Sequence, residues 1–275
     1  MNRAIPFYMI GIVMLTAILM SSCKGKSEVA LANDSIVEES SFKKSNGEMC
    51  KIKTTVYVSY PSEYKDQETL EKLQALFNSS ILRAPLGETS IKSALSSFAK
   101  TLMFQNDSSD TASQAGIDET CFDPVDVDNF EIVVKISNVY NQNQLLSFCI
   151  EEVIKKNEQN SSVSHRYVNL DVEKMKRVGV NDLFTGDNLN KITQMLKSKL
   201  MEDQDAHNED ELNQMGYFNL PNLSVTNNFF FTDDGVTWSY EPNDIAVASV
   251  GEPTILLRFE DLMQFSGDES LLNRF

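Results

Sequence analysis

Ile52, Thr54, Val56, Val58 and Tyr60 fall on one face of an alternating segment, which predicts a strand that Pro61 should end. Two helical stripes follow. Leu70, Leu73, Leu76, Phe77 and Ile81 form the first, and Ile91, Ala94, Leu95, Phe98 and Leu102 the second, with Pro85 and Gly87 breaking the pattern between them. Each stripe should pack on a sheet. After a polar loop over 106–118, Phe130, Ile132, Val134 and Ile136 alternate with Glu131 and Lys135, and Asn141, Gln142 and Asn143 turn the chain into the apolar run 145–150. A β-hairpin accounts for this pattern. A weaker strand around 167–170, the segment Asp182-Leu183-Phe184, and a helix carrying Leu189, Ile192, Met195, Leu196 and Leu200 come next.

The acidic stretch 202–211 reads as an insertion. Beyond it, 223–231 and 236–240 bracket the turn residues Asp233, Asp234 and Gly235, a strong hairpin signal. Gly235 is expected to supply a positive φ in that turn, Trp238 and Tyr240 to fill one face, and Pro242 to end the strand. Ile255, Leu257 and Phe259 predict a last strand, and 260–265 a short helix. The mixed order implies an α+β fold, mainly antiparallel sheets packed with helices, in two subdomains over 50–160 and 161–275.

The start of the chain has a different pattern. One positive residue, Arg3, precedes an apolar run from Ala4 to Met20, followed by small residues and Cys23. That is the layout of a secretory signal over 1–22, and the run is shorter than the roughly 20 residues a spanning helix needs. Met20-Ser21-Ser22-Cys23 resembles the lipobox of bacterial lipoproteins, which implies cleavage before Cys23, a diacylglycerol on its thiol and a further acyl chain on its amine. Acyl chains at about 0.8 kcal/mol per buried methylene would then moor the protein to a membrane. Residues 23–49, rich in Ser, Lys, Glu and Asn, are expected to form a flexible tether.

Charge narrows the partners. The chain has 24 basic and 40 acidic residues, and removing 1–22 takes away only Arg3, leaving a net charge of about −17. Such a balance opposes nucleic acid and direct docking on anionic headgroups, and suits solubility or a basic partner. Cys50, Cys121 and Cys149 allow at most one internal disulfide, with three pairings open; Cys149 lies in an apolar run and is expected as a buried thiol. There is no CxxC, and His165 and His207 are far apart, so no metal site, cofactor or redox pair is expected. His207 among its acidic neighbours reads as a solvated loop, and His165 as a strand surface residue. GxSxG and SxxK are absent, which leaves no catalytic residue to name.

Asp234-Gly235-Val236-Thr237-Trp238-Ser239-Tyr240-Glu241-Pro242, then Ile245, Gly251 and 255–262, resemble the uncharacterised envelope domain shared by RsiV-type anti-sigma factors and the N-terminal part of PdaC-type peptidoglycan deacetylases. Asp182 and Phe184 fit the same pattern. Two departures stand out: Ser161-Ser162-Val163-Ser164-His165 replaces the family's Gly-Gly-Ala-His turn, and Asn243 a usual aromatic. The motif residues read as structural. Only Met1 to Arg3 precede the apolar run, so no cytoplasmic segment for holding a sigma factor is expected; with no HxxxH pair, deacetylation is unsupported. The resemblance implies ligand sensing, since RsiV-type domains bind lysozyme, a basic protein. The expected function is thus a non-enzymatic binding or sensing module on the envelope, for a basic protein or cell-wall material. A cell-wall modifying enzyme with unrecognised catalytic residues and a structural envelope lipoprotein are the alternatives.

Overall fold

The computed structural model describes residues 29–43, 47–105, 129–184, 186, 188–220, 223–267 and 270–275. Cys23, the apolar run before it and Cys121 lie outside them.

The fold is α+β. Six strands form one sheet in the order β1 (Ala30–Lys43), β2 (Met49–Glu63), β3 (Asn129–Gln142), β4 (Leu145–Lys156), β5 (Gln159–Asp171) and β6 (Lys176–Val178). Every neighbouring pair is antiparallel except β2 and β3, which run parallel, with α1 (Gln67–Ser80) and α2 (Ile91–Gln105) between them in the chain. A parallel pair needs a long crossover, and these two helices lie within it.

The two helices cover one face of the sheet. Their apolar stripes meet Ile52, Val56, Val58, Phe130, Ile132, Val134, Ile136, Phe148, Ile150, Val168 and Leu170, all buried. Phe77 of α1 packs edge-on against Phe148 of β4, with ring centroids 5.0 Å apart. Asp66 caps α1 by accepting from the Thr69 N–H at 2.8 Å.

The second core belongs to residues from Val178 onward, together with Tyr140 and Leu145 from the first sheet. It is built on α3 (Asn188–Asp203), α4 (Glu209–Gln214), the antiparallel sheet β7 (Phe229–Phe231), β8 (Gly235–Ser239) and β9 (Thr254–Arg258), and α5 (Phe259–Leu262). A 3-10 turn over Met263–Phe265 continues α5, so the expected helix over 260–265 begins one residue earlier and tightens at its end.

Four expectations are corrected. Residues 30–43, expected within the flexible tether, form a strand paired with β2 along its whole length. Its only adjacent large aliphatics are Ile36 and Val37, so there is no alternation to read; an edge strand is held chiefly by its backbone ladder. Pro61 does not end β2: it pairs with Leu31, and the register irregularity next to it skips Ser62 before Glu63 meets Ala30, so the residue without an N–H sits beside an irregular step on the outer pair of the sheet. The subdomain boundary expected at 160/161 falls inside β5, and the cores change between Val172 and Val178 instead. Gly235 has no positive φ; the motif glycine that does is Gly251, at +88°. Gly235 is required by close approach, since a Cβ there would sit 2.0 Å from the Leu257 carbonyl oxygen.

Candidate functional site

The family-pattern residues build the second core. The turn between β7 and β8 is closed by the Thr232 N–H donating to the Gly235 carbonyl at 2.9 Å and the Gly235 N–H donating to Thr232 Oγ1 at 3.1 Å, which leaves Asp233 and Asp234 exposed at its tip. Trp238 is fully buried; Phe184 stacks on it at 6.4 Å and Phe229 lies at 6.0 Å. Tyr240 is buried on the same side and donates to the Ser224 carbonyl at 3.1 Å, and that burial pushes its hydroxyl well above the usual tyrosine range. Asp182 accepts from the Gly179 N–H at 2.8 Å and pairs with Lys176. Burial alone would raise its pKa, but these partners outweigh burial and hold the carboxyl below its ordinary value. After Pro242 the chain turns, with the Asp244 carboxylate accepting from the Glu241 N–H at 3.0 Å, and Ile245 returns to the core. These side chains fix a fold and leave no reactive group exposed together.

Among the described residues, no helix covers the second face of the six-stranded sheet. Strand registers line up Val37, Thr55, Val133, Val153 and Val163 in one row across β1 to β5. Val37 and Val163 are exposed, and Val133 and Val153 are half-buried. One row over, Glu39, Lys53, Glu131 and Lys155 alternate in sign, with Glu131 3.4 Å from Lys53 and 3.2 Å from Lys155. These ammonium groups overcome the effect of burial and hold the Glu131 carboxyl below its ordinary value.

β7 covers the near end of this face. Ser147 donates to Asn169 Oδ1 at 2.6 Å, Asn169 donates to the Phe229 carbonyl at 2.7 Å, and the Phe231 N–H donates to Ser147 Oγ at 3.2 Å. Ser147 and Asn169 are buried. Below them Asp171, fully buried, accepts both arms of the Arg274 guanidinium at 3.1 and 2.9 Å and ties the C-terminus to β5.

His165 stands where the covered and open parts meet. Its Nδ1 lies 2.6 Å from Glu252, ahead of β9, and its Nε2 lies 3.7 Å from Glu151 on β4. Nearby, Asn228 accepts from the Tyr167 N–H at 2.8 Å and donates to the His165 and Ser239 carbonyls. Sequence reading placed His165 on a strand surface but could not find its partners, because Glu252 lies 87 residues away. Cys149 beside Tyr167 is a free buried thiol whose pKa burial pushes up, the opposite of a reactive cysteine. On the helix side of β5, burial and the neighbouring Arg83 and Arg177 pull the Arg166 guanidinium down to about 10.

Acid is unevenly placed. Residues 161–275 carry 19 Asp and Glu against 9 Lys and Arg, whereas 50–160 carry 16 against 10, and seven of those sixteen lie in 107–128, outside the described residues. The α3–α4 rim holds Glu202, Asp205 and Asp210 exposed; Lys197 pairs with Glu209, and Lys199 with both Glu202 and Asp203. His207 is exposed there, and its backbone N–H donates to Glu211 at 2.7 Å. Among the described residues no three His, Cys, Asp or Glu side chains group as metal ligands. A shallow depression of about 490 Å³, lined by 138–142, Thr232 and Asp233, lies at the near end of the sheet.

Residues 181–260 match the family of proteins of unknown function DUF3298. That segment begins at the motif Asp182-Leu183-Phe184 and ends after β9, so it coincides with most of the second core. The fold is similar to a crystal structure of a DUF3298 member from Bacteroides fragilis, with a TM-score of 0.69 and 20% identity over 90% of this chain and 97% of that one. It is also similar to a DUF3298 protein from Pseudomonas aeruginosa, with a TM-score of 0.55 and 12% identity over 87% of this chain and 96% of that one. Both likenesses span the six-stranded unit as well as the DUF3298 segment, and at these identities they concern the fold. Among curated proteins none matches this chain. No helix among the described residues is long and apolar enough to cross a membrane.

Proposed function

We propose that this protein is a lipid-anchored envelope module that binds a basic protein, of the class to which lysozyme belongs, through its acidic C-terminal half. The observation that carries the reading is the concentration of acid in 161–275, with Glu202, Asp205 and Asp210 exposed on one rim. A surface of one sign steers a cationic partner and gives up affinity as salt screens it. The lipobox-like Met20-Ser21-Ser22-Cys23 and the resemblance to the lysozyme-sensing RsiV-type domain support the same assignment. Binding needs no catalytic group, in keeping with motif side chains that are spent on packing.

The test is calorimetric titration of the purified chain with hen lysozyme at low and at physiological salt. Binding at low salt should weaken at least tenfold at physiological salt, and the triple variant Glu202→Gln, Asp205→Asn, Asp210→Asn should weaken it at both. No heat at low salt, or binding indifferent to both salt and the triple change, would overturn the assignment.

A further inference from the structure

The structure limits how far the body can stand from its anchor. Val29 is pinned to β3, its N–H donating to Asn141 Oδ1 at 3.2 Å and its carbonyl accepting from Asn141 Nδ2 at 2.7 Å. Five residues lie between Cys23 and Val29, and the six steps from one to the other span at most about 20 Å. Residues 30–43 of the expected tether are strand β1 and add no reach.

Several elements end beside Val29. The turn between β3 and β4 lies there, and the Val172 N–H donates to the Gln144 carbonyl at 3.0 Å, bringing the β5–β6 turn alongside. Gln142 donates to Asp233 at 2.9 Å, which adds the tip of the β7–β8 hairpin. At the other end of the sheet are Lys51, Asn129 and Asn157, joined by the Lys51–Asn129 register and by the Asn157 N–H donating to the Asn129 carbonyl at 2.9 Å. β4 alone has 12 residues, and at about 3.3 Å each the two ends are roughly 40 Å apart.

We propose that the sheet stands on the membrane by its Val29 end, with the 141–144, 172–175 and Asp233 turns facing the lipid headgroups and the Lys51–Asn157 end pointing away. The inference rests on acylation of Cys23 as proposed above. Standing upright leaves the open sheet face, with its row from Val37 to Val163, turned sideways beyond the shelf made by β7.

The experiment uses the full acylated chain in vesicles of phosphatidylethanolamine and phosphatidylglycerol that carry an acceptor dye on a headgroup fraction. A donor is placed by an unnatural amino acid at exposed Lys174, near the anchor end, or at exposed Lys51, at the far end. Transfer from position 174 should be several-fold more efficient than from 51. Equal transfer, or more from 51, overturns the orientation while flotation with the vesicles keeps the anchor. If the chain fails to float and its N-terminal peptide carries no acyl mass, both the anchor and the orientation fall. Cys23→Ser should abolish flotation in every case.

Discussion

The two units solve the problem of a one-sided sheet differently. The six-stranded sheet buries one face under α1 and α2 and leaves most of the other to a valine row and an ion ladder. The three-stranded sheet is too small for that, and it survives by wrapping Trp238, Phe229, Phe231, Phe184, Tyr240 and Phe275 into one aromatic core. Stability should therefore be concentrated in the second unit's few large side chains and spread thinly over the first. The surfaces follow the same division, with acid excess on the small unit and near balance among the described residues of the large one.

Removing the centre of the aromatic core is the largest expected perturbation. Trp238→Ala should cost about 4 kcal/mol in urea unfolding followed by circular dichroism, and a loss under 1 kcal/mol would show that the second core is loosely built. Arg274→Ala strands the buried Asp171 carboxylate and should cost about 3 kcal/mol by the same measurement; an unchanged midpoint would mean that the C-terminus is not tied to β5.

The two faces of β3 sharpen the comparison with neighbouring residues. Val134→Thr buries a hydroxyl under the helices and should cost about 2 kcal/mol, while Val133→Thr on the open face should stay within about 0.5 kcal/mol. Equal costs at the two positions would argue that the open face is covered after all.

Asp182 gives a pH-dependent effect. Its folded pKa is depressed, so its contribution is present above the unfolded carboxylate value near 4 and is lost as pH falls through the lower folded value. Asp182→Asn should cost about 1–2 kcal/mol at pH 7, and the gap to the unsubstituted chain should close in acid. A gap that persists at pH 2 would assign the loss to packing. The smallest effect is kinetic: native Cys149 should react with an aromatic disulfide far more slowly than a free thiol, and only unfolding should release it.

Much of the fold could be read in advance. Alternation at 52–60 and 130–136, the stripes of the three long helices α1, α2 and α3 and the Asp-Gly hairpin each report a local pattern that the tertiary structure reuses. β1 could not be read, because its partner supplies the hydrogen bonds and its side chains carry no period. Nor could the length of β5, whose half toward β4's far end is Gln, Asn and Ser held by register. Of the site, the motif side chains were visible as packing residues, while the meeting of His165 with Glu252 and the burial of Asp171 under Arg274 were not.

By itself the sequence determined the element types, the acidic excess and the motif that fills the second core, since periodicity, charge and residue size are local quantities. Tertiary structure alone decided that residues 30–43 are sheet, that Gly235 is needed for close approach and that Val29 is held against Asn141 at one end of the open six-stranded sheet. Each of those depends on atoms brought together from distant parts of the chain, and no window of sequence contains both partners.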